Sequence, residues 1–140
     1  MICDLDRTLL IIKPDAVSGH HIGDILSVIE KDGFTIIKMR MLVMDNGTAA
    51  RLYAPHEGKS FYEPLLRFMT SGPIAAILLE RADAIRRLRK LMGDTDSSKA
   101  ADGTIRALYG TDKRANAVHG ADSEESFKRE YAIFFSENEN

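Results

Sequence analysis

An α+β sandwich, an antiparallel sheet covered by helices, is the fold class that this sequence predicts. Three observations point to it. Two short runs, Thr8–Ile12 and Ile74–Leu79, are continuously apolar, as strands covered on both faces must be. The stretches between and after them repeat apolar residues at helical spacing. The segments run strand, helix, strand, helices, strand, helix and then a closing strand. For that order a split βαβ, ferredoxin-like topology is the natural arrangement. At 140 residues the chain reads as one domain over 1–140.

The elements follow from local patterns. Thr8–Ile12 is the first central strand, ended by Lys13-Pro14-Asp15. From His20 to Asp32, Ile22, Ile25, Leu26 and Ile29 recur at helical spacing, and Gly33 supplies the stop. Phe34–Met44 reads as a strand in which Met39, Met41 and Val43 alternate in part with Lys38 and Arg40. Asp45-Asn46-Gly47 turns the chain. Thr48–Thr70 carries two helical pieces, broken near Pro55–Ser60. Ser71-Gly72-Pro73 precedes the second buried strand, Ile74–Leu79. Ala82–Met92 is a helix with Ile85, Leu88 and Leu91 inward and Arg86, Arg87 and Lys90 outward. Gly93–Asn116 is long and mostly polar, with one helical turn at Thr104–Tyr109. A loop of that length in a compact domain serves function or an interface. A last helix runs from Ser123 to about Glu130, after a capping-box-like pair, Asp122 and Glu125. Ala117–His119 and Tyr131–Phe135 both qualify as the closing strand. The polar tail Ser136–Asn140 reads as frayed.

Composition narrows the function classes. A 44% hydrophobic content suffices for a full core, and 29% charged residues fit a soluble surface. A net charge of −2 gives no bulk drive toward nucleic acid or anionic membrane, so any anion site must be a local basic cluster. The lone cysteine, Cys3, fits a reducing compartment. Met1–Arg7 lacks the features of a signal peptide, and the longest apolar runs are too short to span a bilayer. The expectation is a cytoplasmic protein with no membrane and no nucleic-acid partner.

The chemistry concentrates in one run, Asn116-Ala117-Val118-His119-Gly120-Ala121-Asp122-Ser123. His119 sits there among small residues, just before a helix start. An imidazole nitrogen is nucleophilic near neutral pH, and a helix N-terminus favours an anion beside it. Most histidines are not catalytic, so the surrounding run carries the reading. Lys13 at a strand end is either a surface charge or a phosphate or ribose ligand. Arg89, flanking the apolar stripe of its helix, and Arg106, in the long loop, are each solvated if alone. If these two arginines, Lys13 and Thr95 converge, they form a site for a triphosphate. Phe61, next to Tyr62, is a core aromatic or a stacking platform for a base. Asn116 caps a turn or binds a sugar hydroxyl. Glu130 is a surface charge or a hydrogen-bond partner that sets the histidine tautomer. His20, His21 and His56 lack partners at metal-ligand spacing and read as solvated. GxxxxGK[ST] and GxGxxG runs are absent, and Val118 stands where an RHG motif needs arginine.

Taken together, these motifs resemble the nucleoside diphosphate kinase family, with most similarity to bacterial members. Lys13-Pro14-Asp15, Ser71-Gly72-Pro73, Met92-Gly93 with Thr95, Gly103-Thr104-Ile105-Arg106, and Asn116 through Gly120 fall in family order. The resemblance covers Thr8 to Phe135. It implies transfer of a γ-phosphate from a nucleoside triphosphate to a nucleoside diphosphate, by a ping-pong reaction through a phosphohistidine at His119. It implies Glu130 as the partner of that histidine and Tyr53 beside it. Lys13 and Asn116 meet the ribose, and Lys13 also reaches phosphate. Arg89, Thr95 and Arg106 hold phosphates, and Phe61 stacks on the base with Leu65 beside it. Magnesium (Mg2+) rides on the nucleotide phosphates, without a dedicated protein cage. A homo-oligomer, tetramer or hexamer built from dimers, is implied as well. The chain departs from the family at four positions. Ala121 replaces a usual serine, Lys113 replaces an apolar residue near the base, and Ser97 and Ala101 lie where prolines are common. A non-catalytic nucleotide-binding or interaction module on the same fold is the alternative.

Overall fold

The computed structural model describes residues 5–135. Cys3 and the tail 136–140 lie outside the described residues. The elements are β1 (Asp6–Ile12), α1 (Pro14–Ser18), α2 (Ile22–Lys31), β2 (Thr35–Leu42), α3 (Asn46–Leu52), α4 (Tyr62–Met69), β3 (Ile74–Arg81), α5 (Ala84–Met92), α6 (Ile105–Tyr109), β4 (Val118–Gly120) and α7 (Glu124–Phe134). Short 3-10 turns occupy Ala54–His56 and Ser97–Lys99.

The strands form one sheet in the order β2-β3-β1-β4, and each neighbouring pair is antiparallel. This is the split βαβ order. β1 and β2 point the same way, and β3 runs between them. The apolar runs of β1 and β3 are explained by layers on both faces. Leu10, Ile12, Ala75, Ile77 and Leu79 pack beneath α2 and α5 with Ile25, Ile29, Leu88 and Met92. Leu9, Ile11, Ile74, Ala76 and Leu78 pack on the other face with Leu52, Leu65, Met69 and Phe134 from α3, α4 and α7. Cross-strand partners such as Leu10 and Ile77 belong to the same face, as a period of two demands.

Several boundaries differ from expectation, for physical reasons. The closing strand is β4, and Tyr131–Phe134 continues α7 instead. Phe134 is fully buried on the helix and packs into the second core layer. The apolar run thus reflected a buried helix end, which periodicity over a few residues does not separate from a strand. Asp122 is not the cap of α7. Ser123 accepts from the Ser126 amide at 3.0 Å, while Asp122 accepts from the Ser126 hydroxyl at 2.6 Å. The capping residue therefore sits one position later than the Asp122–Glu125 pair suggested. Lys13-Pro14-Asp15 does more than end β1, because Pro14 opens the short helix α1, the position where its missing N–H costs nothing. Arg87 is half-buried rather than outward, and with Arg81 it pairs with Asp32 at the end of α2.

Two glycines matter for the site. Gly93 ends α5 at φ +87°, and a Cβ there would lie 2.7 Å from the Cβ of Thr104. Only glycine permits this turn and this approach. Gly120 lets β4 pack against α5, since a Cβ would lie 2.6 Å from the Met92 sulfur.

Candidate active site

All ten site residues singled out above line one cavity of about 610 Å³: Lys13, Tyr53, Phe61, Leu65, Arg89, Thr95, Arg106, Asn116, His119 and Glu130. They come from every part of the chain. Lys13 lies at the end of β1, Tyr53 after α3, and Phe61 and Leu65 at the start of α4. Arg89 is on α5, Thr95 and Asn116 on the long connection, Arg106 on α6, His119 on β4 and Glu130 on α7.

His119 is central. Its Nε2 lies 2.9 Å from Glu130 Oε1. A carboxylate only accepts, so Nε2 carries the proton and Nδ1 keeps its lone pair. Glu130 is almost fully buried, and its other oxygen faces Arg129 Nη2 at 3.6 Å. The contact is direct, so Ala121 at the usual serine position leaves the histidine supported. The imidazole meets α7 through its second turn, not at its N-terminus, which Ser123 caps. The Tyr53 ring and the imidazole meet edge to face, with centroids 5.7 Å apart. Its hydroxyl is buried with no partner, and burial pushes its pKa well above the usual tyrosine range.

Two cations of the cavity, Arg106 and Lys13, are buried. Arg106 donates to the Gly93 carbonyl at 3.0 Å and to the Val118 carbonyl at 2.9 Å. These bonds tie α6 to the end of α5 and to β4. Burial, then the neighbouring Arg89, lowers its pKa to about 10. Lys13 donates from Nζ to the Arg114 carbonyl at 3.3 Å. Burial first, and the charge of Arg106 second, bring its pKa to about 7. Arg89 is exposed and reaches the Gly120 carbonyl at 3.4 Å. Asn116 donates to the Thr95 and Lys113 carbonyls at 2.9 and 3.0 Å, and its Oδ1 is buried without a partner. Phe61 stays 43% exposed, beside His56 at 5.3 Å between ring centroids.

His56 is a correction. It lines the cavity, and burial, then the charge of Lys59, lowers its pKa. Its closeness in sequence to Phe61 was the signal. Arg114, Arg129 and Ser126 also line the cavity and carried no sequence signal, since each belongs to an ordinary polar stretch. Lys113 is there too. Among the described residues no group of three or more His, Cys, Asp or Glu is placed to hold a metal ion.

An imidazole with a fixed proton, several cations and an open π-face can bind a polyphosphate and accept a phosphoryl group. Comparison with known proteins agrees. The family model described as nucleoside diphosphate kinase matches residues 6–140. A nucleoside diphosphate kinase of Sulfurisphaera tokodaii is 46% identical over 96% of this chain and 92% of that protein. One from Actinobacillus pleuropneumoniae is 47% identical over 96% and 98%. Among solved structures, the Aquifex aeolicus nucleoside diphosphate kinase superimposes with a TM-score of 0.92 at 41% identity, covering 96% of this chain and 97% of that one. The Halobacterium salinarum nucleoside diphosphate kinase in complex with CDP gives 0.93 at 42% identity, covering 97% and 91%.

Proposed function

The chain belongs to the nucleoside diphosphate kinase family, and from that premise we propose that His119 is its phosphoryl carrier. The enzyme moves the γ-phosphate of a nucleoside triphosphate to a nucleoside diphosphate by a ping-pong route. The observation that carries the residue assignment is the 2.9 Å contact of His119 Nε2 with buried Glu130. It leaves Nδ1 as the nucleophile. In the first half-reaction Nδ1 forms a bond to the γ-phosphorus as the bond from that phosphorus to the bridging oxygen breaks. The diphosphate departs, and an acceptor diphosphate reverses the step. Arg106, Arg89 and Lys13 stabilise the charge on the transferring group and on the departing phosphate, with Thr95 as a neutral ligand. Tyr53 packs the imidazole in place. Asn116 Oδ1 and Lys13 take the ribose hydroxyls. Phe61 stacks on the base, with Leu65 beneath.

Stacking needs only a π-face, so purines and pyrimidines both serve. The Halobacterium salinarum relative binds a pyrimidine nucleotide, CDP, as this reading expects for one of the two base classes.

Magnesium fits as a passenger of the nucleotide. The cavity offers two carboxylates, Asp122 and Glu130. Glu130 is engaged by His119 and Arg129, so Asp122 alone is left to meet the ion. Mg2+ characteristically takes one or two carboxylates plus substrate phosphates and water. Bound, it neutralises phosphate charge.

We also propose a homo-oligomer, a tetramer or hexamer built from dimers, in the cytoplasm. β2 is an edge strand with Ile37, Met39 and Met41 exposed. An uncovered apolar edge is a template for pairing with a second copy. The non-catalytic reading is not favoured, because the histidine and its phosphate ligands line one cavity.

Incubation with γ-labelled ATP tests the assignment. The expected result is an acid-labile, base-stable label that chases onto GDP and is absent in His119→Ala. Turnover by His119→Ala above about a thousandth of wild type would sink the assignment, since losing a nucleophile costs several orders of magnitude.

A further inference from the structure

Ala117 holds a backbone conformation that alanine rarely adopts. Its φ is +74°, and across it the Val118 amide donates to the Asn116 carbonyl at 2.9 Å. This is a three-residue γ-turn of the uncommon, strained hand. A Cβ is crowded there, and such strain persists only where the surroundings over-determine it. Ala117 is also fully buried, so water does not satisfy its amide.

Two hydrogen bonds fix the turn, both from the segment that follows β1. The Lys13 amide donates to the Ala117 carbonyl at 2.8 Å. The Ala117 amide donates to Asp15 Oδ2 at 3.0 Å, across 102 positions of sequence. The first bond is backbone to backbone and independent of side chain. The second depends wholly on Asp15. The turn lies between two groups of the site. Asn116 precedes it, with its amide held on the Thr95 and Lys113 carbonyls. His119 follows two residues later on β4.

We propose that Asp15 is a positioning residue for phosphoryl transfer, holding the left-handed turn at Ala117 that aims Asn116 and His119 into one cavity. The proposal rests on His119 being the phosphoryl carrier. Without Oδ2, the Ala117 amide is a buried orphan at a strained residue. The chain then relaxes by rotating φ back to the ordinary negative region. That rotation tilts the peptides on either side, and with them the Asn116 side chain and the start of β4. Because Lys13 lies in the same clamp, its ammonium is set against the same reference.

The test measures the rate of acid-labile label uptake from γ-labelled ATP at saturating nucleotide, where bound phosphates keep Lys13 charged in every variant. Thermal unfolding runs alongside. Asp15→Ala is expected to slow uptake by roughly tenfold to a hundredfold, the scale of a small misplacement of reacting groups. Asp15→Asn retains an acceptor oxygen and is expected to stay close to wild type. Ala117→Gly alone is expected to be active, since glycine occupies positive φ without a steric cost. In that background Asp15→Ala is expected to cost much less, which a general structural role does not produce. An equal loss from Asp15→Ala in the two backgrounds overturns the proposal. So does full activity of Asp15→Ala, or an Asp15→Asn variant as slow as Asp15→Ala. If Asp15→Ala does not fold, Asp15→Asn decides: normal uptake supports the clamp, and a folded but slow protein overturns it. Label retained by His119→Ala removes the carrier assignment itself, and this role for Asp15 with it. A label that depends on His119 but not on Asp15 removes the clamp alone.

Discussion

Replacing Phe61 with alanine isolates what the base side of the cavity contributes. The ring is 43% exposed on a wall that it shares with His56 and Leu65. A phenylalanine side chain presents on the order of 200 Å², so roughly 85 Å² of apolar surface awaits a base. At about 25 cal/mol per Å², covering it is worth about 2 kcal/mol. This agrees with the roughly 1–3 kcal/mol of a base–aromatic stack. Phe61→Ala should therefore weaken nucleotide binding by about thirtyfold, since each 1.4 kcal/mol is tenfold. The loss should be equal for ADP, GDP and CDP, because a π-face does not read base edges. Titration calorimetry of the three diphosphates against the unphosphorylated enzyme is the assay. A loss under about twofold would show that no base lies on the ring. A loss confined to one base would show that the ring takes part in discrimination, and the tolerance argument would fall.

The other predictions concern the histidine, the lysine and the edge strand. Ala121→Ser should change turnover by less than roughly tenfold and stability by about 0.5–1.5 kcal/mol, because Glu130 already reaches the imidazole directly; an inactive wild type rescued by this change would refute that account in steady-state assays. The Lys13 pKa of about 7 lies below its unfolded value of about 10.4, so the unfolded chain binds more protons between them and stability of the free enzyme should rise from pH 7 toward 10. Lys13→Met should flatten that rise in denaturant melts; an unchanged slope would show that Lys13 is not the titrating group. Met39→Lys combined with Met41→Lys should reduce the assembly to a smaller species in light scattering, since charge on an exposed edge opposes pairing; an unchanged mass would place the interface elsewhere.

Legibility in the sequence followed the range of the forces involved. The two central strands were readable because burial on both faces leaves no room for polar residues in Leu9–Ile12 or Ile74–Leu79. The residues that line the cavity could be named together because the family resemblance relates distant segments of the chain, and Lys13, Thr95, Arg106, Asn116 and His119 stand in its motifs. What local pattern could not supply was tertiary partnership. Asp122 looked like a cap until Ser123 was seen to accept from the Ser126 amide. Tyr131–Phe134 looked extended until Phe134 was seen buried from a helix. His56 looked solvated because its one cue was the nearby Phe61, and the polar stretch around it does not by itself show that the break after α3 folds over the cavity. The turn at Ala117 was invisible for a related reason. Its signature is a positive φ at a residue with a Cβ, and the atom that holds it lies 102 positions away.

The two ends of the cavity differ in a way that bears on selectivity. Where the proposed phosphates sit, Lys13 and Arg106 are almost fully buried, and burial lowers the pKa of both. The Tyr53 hydroxyl, Asn116 Oδ1 and Arg106 Nε are buried without partners. Each orphaned group costs the free protein about 1–3 kcal/mol, and a buried cation costs more while it lacks a counter-charge. A polyphosphate with its ribose supplies the missing acceptors, donors and negative charge together. The groups are fixed before binding, so little ordering is spent at the moment of reaction. A ligand lacking those phosphates leaves the same atoms unpaired, which is how a site rejects strongly. On the base side nothing comparable exists. Phe61 is exposed, its surroundings are a histidine ring, a leucine and the Lys59 ammonium 5.7 Å from its centroid, and no buried orphan atom belongs to it. A wrong base therefore leaves nothing unsatisfied. On the proposed reading, strict demand for phosphate with indifference to the base follows from where the unpaired polar groups are buried.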